Sequence, residues 1–387
     1  MASLPVRALR PIIKVRLVRF HTPYGFMLRC PLYYLLQREE ERNNRRRFFD
    51  VVFWSGETPD LEFSQFWQRQ IPLLPEFLHR KLWKFLHVIA WYWERNDSMK
   101  EHVFDLSLGK NHASDSMNSR RYDAAKFVTR QDEIELASCL ESLGVDPDAQ
   151  IALIHVRNSS HDVQTASKGS YDVHCANADA GSFQSAVDFL VDQGFAVLTI
   201  GNHPTSASGL SRVVEYHKSP RRTALLDLVI GSKSQLFIGT TAGALSAVAF
   251  HFRLPALLTN HLIWNSEITA EPFGYGRAVF LLKNVWRDGV RLSQSEVMQS
   301  RLPTGDQALM EAGVSLEDNS GAEILEGLKE LLTLGNEPKP WRYVHQNEEQ
   351  KDFWRIFDAH TRLERVCKED GAIISPSFLK QNPHWLR

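Results

Sequence analysis

The 387 residues include only four cysteines, Cys30, Cys139, Cys175 and Cys367, and no pair has the spacing of a zinc ribbon or a redox motif. Scattered thiols suit a reducing compartment and rule out a disulfide framework as the source of stability. No apolar run approaches the roughly 20 residues that a membrane-spanning helix needs. A basic surplus is missing too. The 45 Lys and Arg stand against 46 Asp and Glu, a formal charge of -1, which argues against bulk binding of nucleic acid. The chain has neither the GxxxxGK(S/T) phosphate loop nor a GxGxxG dinucleotide fingerprint.

Acidic residues are absent before Glu39, whereas Arg7, Arg10, Lys14, Arg16, Arg19, Arg29 and Arg38 recur through the same stretch. These cations interrupt the apolar core that a signal peptide requires, so a cytoplasmic protein is expected. Leu, Ile, Val, Phe and Tyr are interleaved with them. Two readings stay open: an ordinary strand-and-loop start to a domain, or an arm resting on anionic lipid at the inner membrane face. In the second, each cation would contribute about 1 kcal/mol.

A length of 387 residues is comfortable for two domains. In residues 1–130, FFDVVFW (48–54) followed by SGETPD reads as a strand and turn. Residues 61–93 form two helices broken at Pro72 and Pro75, and their density of Trp, Phe and Leu points to core or domain interface. Residues 131–335 are more legible. Ile134, Ala137, Leu140 and Leu143 recur at helical spacing, with Gly144 as the stop. IALIHV, FAVLTI, QLFIG and PALLT read as strands, with a short one at 213–216. Helices lie between them: one capped by Ser182 with Phe183, Ala186, Val187, Leu190 and Val191 on one face, and others at 225–230 and 244–252. This alternation predicts a parallel sheet with right-handed crossovers. Residues 336–387 read as a helical tail.

Ligands of such sheets bind beyond the carboxyl ends of the strands. The residues there are His155 and Arg157, then Gly201, Asn202 and His203, then Gly239, Thr240, Thr241, Ala242 and Gly243, and finally Thr259 and Asn260. A guanidinium offers a fork of donors that matches two phosphate oxygens. Arg157 is therefore the first candidate, with a structural ion pair as the alternative. GTTAG, between strand and helix, lets a ligand approach backbone N–H groups at a helix start, though it is also a plain tight turn. Asp227 is either a solvated or capping carboxylate, or one that fixes Arg157 or a ligand hydroxyl. Arg221 and Arg222 are within reach of a phosphate. His161 and His174 with Cys175 match no metal-ligand spacing. Asp146-Pro-Asp148 precedes its strand and reads as a turn rather than as a cation-binding Asp-x-Asp. No metal and no cofactor are expected.

HVR (155–157), the Gly201-Asn202 turn, EYHKS (215–219), LLDL (225–228), FIGTTAG (237–243) and LPALLTN (254–260) together resemble a family of uncharacterised bacterial GT-B-like glycosyltransferases. That family is in turn similar to the GDP-fucose-using α1,6- and O-fucosyltransferases. FFDVVFWSG and ISPSFL are weaker extensions of the likeness. It implies an α/β, GT-B-like protein with two Rossmann-like domains and a C-terminal helical tail. The donor, a nucleoside-diphosphate sugar that the likeness suggests is GDP-linked, would be held by the second domain and the acceptor by the first. Transfer would go to a hydroxyl of a glycan or other acceptor, such as a surface-polysaccharide precursor, with inversion and without a metal. Arg157 would hold the diphosphate, Thr240 and Thr241 would lie against the phosphates, and Asp227 would match an acid important in the fucosyltransferases. His155, Gly201, Gly239 and Gly243 complete the donor site by position. The chain has Asn158 and Asn202 where the family commonly has Asp. The general base is unassigned, with Asp162 and Asp179 as candidates in the long loop. The lost carboxylates leave a non-catalytic sugar-nucleotide-binding protein open, and the shared two-domain plan leaves open an epimerase, which would need no acceptor.

Overall fold

The computed structural model describes residues 15–20, 31, 34–35, 38, 41, 49–56, 61–105, 124–157, 177–201, 210–240, 245–263, 278–300, 302–303, 306–335, 347–360 and 373–387. Strands β1 (Val15–Phe20), β2 (Phe49–Trp54) and β3 (Val103–Asp105) form a parallel sheet in the order β2-β1-β3. FFDVVFW is thus a strand, as its β-branched and aromatic content predicts. VRLVRF is its partner. Arg16 of β1 sits opposite Asp50 of β2 and donates to it at 2.9 and 3.0 Å. It also reaches Glu41 at 2.5 and 3.1 Å, and the Tyr34 hydroxyl donates to Asp50 at 2.7 Å. Arg19 is buried on Glu94 at 2.7 Å. Both arginines serve the interior, so this part of the basic N-terminal stretch is a strand rather than a lipid-facing arm. Arg7, Arg10, Lys14 and Arg29 lie outside the described residues.

Helices α1 (Leu61–Gln68) and α2 (Glu76–Glu94) follow, and between them Leu73 bridges to Val52. Pro75 starts α2 with an extended backbone, φ -54 and ψ 144, because the ring fixes φ and supplies no donor. Phe66 and Trp67 of α1 are fully buried. The expectation that the whole aromatic series to residue 93 is core or interface needs correction, however. Phe77, Phe85, Val88, Trp91 and Tyr92 of α2 face solvent.

The second half is built on β4 (Gln150–His155), β5 (Phe195–Thr199), β6 (Val214–Glu215), β7 (Ser234–Thr240), β8 (Ala256–His261) and β9 (Ala278–Leu282). With β13 (Ile373–Ile374) they form one seven-stranded sheet in the order β13-β9-β8-β7-β4-β5-β6, parallel at every pairing. Ile151 to Ile154, Leu236 to Ile238 and Ala278 to Leu282 are buried. Such runs suit strands covered on both faces. Helices α3 (Arg130–Glu141), α4 (Gln184–Asp192), α5 (Ala224–Val229) and α6 (Leu245–Phe252) supply the connections. This is the α/β parallel architecture the sequence predicts, with a parallel sheet in each half.

Two local expectations shift. The buried face of α3 is Asp132, Leu136, Cys139 and Leu140, while Ile134 is 54% exposed. Two turns along the helix fit either stripe, and the surface that α3 meets selects between them. The cap before α4 is Asp179, whose carboxylate accepts from Gly181 N–H at 3.2 Å. A 3-10 turn from Ala180 to Phe183 precedes α4 and moves the start three residues ahead of Ser182. Gly144, at φ 73, ends α3 as foreseen, in a conformation that Gly adopts without strain.

The first half is tied to the second through polar and aromatic contacts. Thr129 and Asp132 form a capping box at the start of α3, and Arg69 donates to Asp132 at 2.5 and 3.2 Å. Burial opposes ionisation of Asp132, but the Arg69 fork and the Thr129 hydrogen bonds outweigh it and hold the carboxyl below its ordinary range. His251 of α6 meets Trp67 edge-on at 5.1 Å and Phe66 at 6.2 Å.

After β9 come β10 (Asn284–Arg287), β11 (Val290–Arg291) and β12 (Val314–Glu317), a small antiparallel sheet, with α7 (Gln294–Gln299) and α8 (Asp306–Glu311) between the last two strands. Helix α9 (Gly321–Gly335) packs on β8 and β9. The terminal segment contains helices α10 (Glu348–His360) and α11 (Pro376–Gln381), and it also contributes the edge strand β13. Gln350 of α10 holds that strand, donating to Ile374 O at 2.6 Å and accepting from Ile374 N–H at 3.2 Å.

Candidate functional site

Chain order and sheet order reverse between β4 and β7. From β4 the chain moves outward to β5 and β6, then returns to β7 on the other flank and continues to β8 and β9. Adjacent parallel strands whose connections leave in opposite directions open a crevice at their carboxyl ends, the general ligand position in open α/β sheets. His155 pairs with Gly239 across this point. A Cβ at position 239 would lie 2.1 Å from the His155 carbonyl oxygen, so the close approach of the two strands requires glycine there.

Just beyond, the Arg157 N–H donates to Thr240 Oγ1 at 3.0 Å, and Thr240 is fully buried. A side-chain hydroxyl of β7 thereby fixes the backbone at the end of β4, and with it the root of the half-buried Arg157 side chain. The Ile200 N–H donates to Ile154 O at 2.9 Å, and the His155 ring hydrogen-bonds Ile200 O through Nδ1 at 3.1 Å. These contacts bring Gly201, bent at φ 126, to the same edge. Thr240 and Thr259 are register neighbours, and the Thr259 hydroxyl donates to Gly239 O at 3.4 Å. Asn260, at φ 54, exchanges hydrogen bonds with Asn319: each side-chain oxygen accepts the other's backbone N–H, at 2.6 and 2.8 Å.

His155, Arg157, Gly201, Gly239, Thr240, Thr259 and Asn260 thus occupy one edge, as their positions after the strands predict. Asn158, Asn202, Thr241 and Gly243, with His161, Asp162, His174, Cys175 and His203, lie outside the described residues. Asp227 is buried and takes a two-pronged contact from Arg222, Nε to Oδ1 at 2.7 Å and Nη2 to Oδ2 at 2.5 Å. It is neither solvated nor a cap, since Thr223 caps α5. Arg221 donates to Ser138 at 2.7 Å. Asp179, a candidate base, is engaged as a cap.

Lys283 is a further polar residue at this edge, beyond those that the sequence pattern marks. It follows β9 directly, so the signal that marks it is its place after the apolar run AVFLL. Only 4% exposed, it donates to Asp318 Oδ1 at 2.6 Å and to Asn177 O at 2.7 Å. Ala178 N–H donates to Arg157 O at 3.0 Å. Arg157, Asn177 and Ala178 are therefore held together at the sheet edge.

Asp146-Pro-Asp148 lies at the other edge, before β4. The Asp148 N–H donates to Asp146 Oδ1 at 2.9 Å, the local turn that the spacing predicts. His261 is buried against Phe280, and burial pushes its ring down to about 3, so it is neutral at ordinary pH. Burial does the same to His251.

No family model and no curated protein matches the chain. Among solved structures it is similar to E. coli ADP-heptose LPS heptosyltransferase II, at a TM-score of 0.42 and 11% identity, covering 84% of this chain and all of that one. It is also similar to S. aureus MnaA in complex with UDP, at a TM-score of 0.38 and 11% identity, covering 92% of this chain and all of that one. These likenesses are weak, and the functional reading rests on the geometry of the sheet edge.

Proposed function

We propose that the protein is a glycosyltransferase that binds a nucleoside-diphosphate sugar at the β4–β7 edge and transfers the sugar to an acceptor hydroxyl. The observation that carries this reading is Arg157, rooted at the strand reversal by its N–H bond to Thr240. A guanidinium there meets a diphosphate in two-pronged fashion, and the glycine at 239 keeps the strands close enough to align backbone donors. The departing diphosphate acquires charge as the glycosidic bond breaks, so fixed donors aimed at it stabilise the transition state more than the ground state. The domain division at about residue 130 and the acceptor role of the first half belong to this proposal. Closure of the first half over the donor would exclude water. A GDP-linked donor is supported by the sequence resemblance alone.

Transfer without a metal is part of the reading, because Arg157 meets the diphosphate charge and the one Asp-x-Asp sequence near a strand sits at the opposite edge as a turn. A thermal-shift screen of nucleoside-diphosphate sugars tests the binding step, since a ligand that binds only the folded state raises the melting temperature. Hydrolysis or transfer of the best binder should persist in EDTA. Loss on chelation with recovery in Mn²⁺ would contradict the metal-free step. A stabilising sugar nucleotide that is never turned over would favour the non-catalytic reading, for which the Asn158 and Asn202 departures speak.

A further inference from the structure

Helix α2 has two apolar faces, and only one is covered. Trp83, Leu86, Ile89, Ala90 and Trp93 turn inward onto Leu17, Val51 and Phe53 of the first sheet. At 100° per residue, Phe77, Phe85, Val88, Trp91 and Tyr92 fall on the opposite side. They are 65, 59, 62, 48 and 55% exposed. One apolar face suffices to hold a helix on a sheet, so a second stripe of large side chains in water needs another reason.

Its charge supplies that reason. Arg80, Lys81, Lys84 and Arg95 are exposed along the same side. The two acids of the helix are engaged, Glu76 by Arg80 and Glu94 by Arg19. The Arg95 guanidinium lies 3.9 Å from the Trp91 ring centre, joining the cations to the aromatic stripe. Aromatic rings with an apolar body and a polar tip, set among cations, make up the face of a helix lying in a lipid–water interface. A second copy docking through the same patch would set cations against cations as well as ring against ring. Anionic headgroups supply the missing counter-charge.

We propose that the outer face of α2 docks the protein on an anionic lipid membrane. The test is co-sedimentation of the full chain with vesicles of phosphatidylcholine alone and of phosphatidylcholine with phosphatidylglycerol. The protein should pellet with the anionic vesicles, at least tenfold more weakly at high salt, and stay in solution with the neutral ones. Phe85→Glu with Trp91→Glu should weaken binding at least tenfold while the melting temperature stays the same. Lys81→Glu with Lys84→Glu, which leaves the rings in place, should remove the preference for anionic lipid, so the test survives if the first pair fails to fold. Wild-type protein left in solution by anionic vesicles would overturn the proposal, as would variants that bind like the wild type. So would a dimer in sedimentation velocity that Phe85→Glu dissolves, in protein that ignores lipid.

Discussion

The three-stranded and seven-stranded sheets are both parallel, yet they place polar groups in opposite ways. In the first, Arg16 and Arg19 lie inside the fold, and Asp50, Glu41 and Glu94 surround them with short ion pairs. In the second, strand interiors are apolar, and polar side chains collect at the carboxyl edge around Arg157, Thr240 and Asn260. A buried cation that already faces two carboxylates has little capacity left for a ligand. Arg157 instead stands half-buried at a sheet edge, with its backbone N–H held by Thr240. The contrast sets arginines that hold the fold against the one proposed to hold a ligand.

The comparison is broken most severely at Asp50. Asp50→Ala leaves Arg16 buried with Glu41 as its remaining carboxylate and orphans the Tyr34 hydroxyl, a loss of about 3–5 kcal/mol in urea unfolding. A loss below about 1 kcal/mol would mean the network is solvated. In the second sheet the sensitive point is steric. Gly239→Ala forces β4 and β7 apart at the His155 carbonyl, with an expected cost of about 2–3 kcal/mol and loss of nucleotide binding. Wild-type stability in that variant would show that the strands need not approach closely.

A smaller effect sharpens the boundary between the halves. His251, packed against Phe66 and Trp67, has its pKa lowered from 6.5 to about 3 by burial. The unfolded chain therefore takes up a proton that the folded chain refuses, and stability falls as pH drops below 6.5 and continues to fall towards 3. The slope is roughly 1.4 kcal/mol per pH unit for this group. His251→Phe should flatten the fall between pH 6 and 4.5, read from melting temperature against pH. An unchanged profile would show that the ring is protonated in the fold.

Strands β4, β5, β7 and β8 are legible because runs such as IALIHV and FAVLTI, bounded by Asp, Pro and Gly, carry both burial and end signals, whereas β9 is not among the strands read from the sequence. Residues that follow parallel strands share one edge, which is why Arg157 and Thr240 meet there. What sequence could not show was which of two apolar faces a helix covers. On α2 the aromatic density looks like core, yet half of it faces water. On α3 the stripe containing Ile134 was as regular as the one containing Leu136, and only the partner surface distinguishes them. For VRLVRF the sequence leaves a strand and a lipid-facing arm both open, because the carboxylates that Arg16 and Arg19 meet are distant in the chain. The two-residue strand β13 is too short to carry any periodicity.

The central claim is that Arg157 holds a diphosphate at the strand reversal, and calorimetric titration tests it most directly. Nucleoside diphosphates would be titrated into the wild type and into Arg157→Ala, with melting temperatures measured on both. Loss of a charge-assisted pair worth roughly 1.5–3 kcal/mol should weaken binding by about one to two orders of magnitude and leave the melting temperature nearly unchanged. Equal affinity in the two proteins, or no binding of any nucleoside diphosphate to the wild type, would contradict the account.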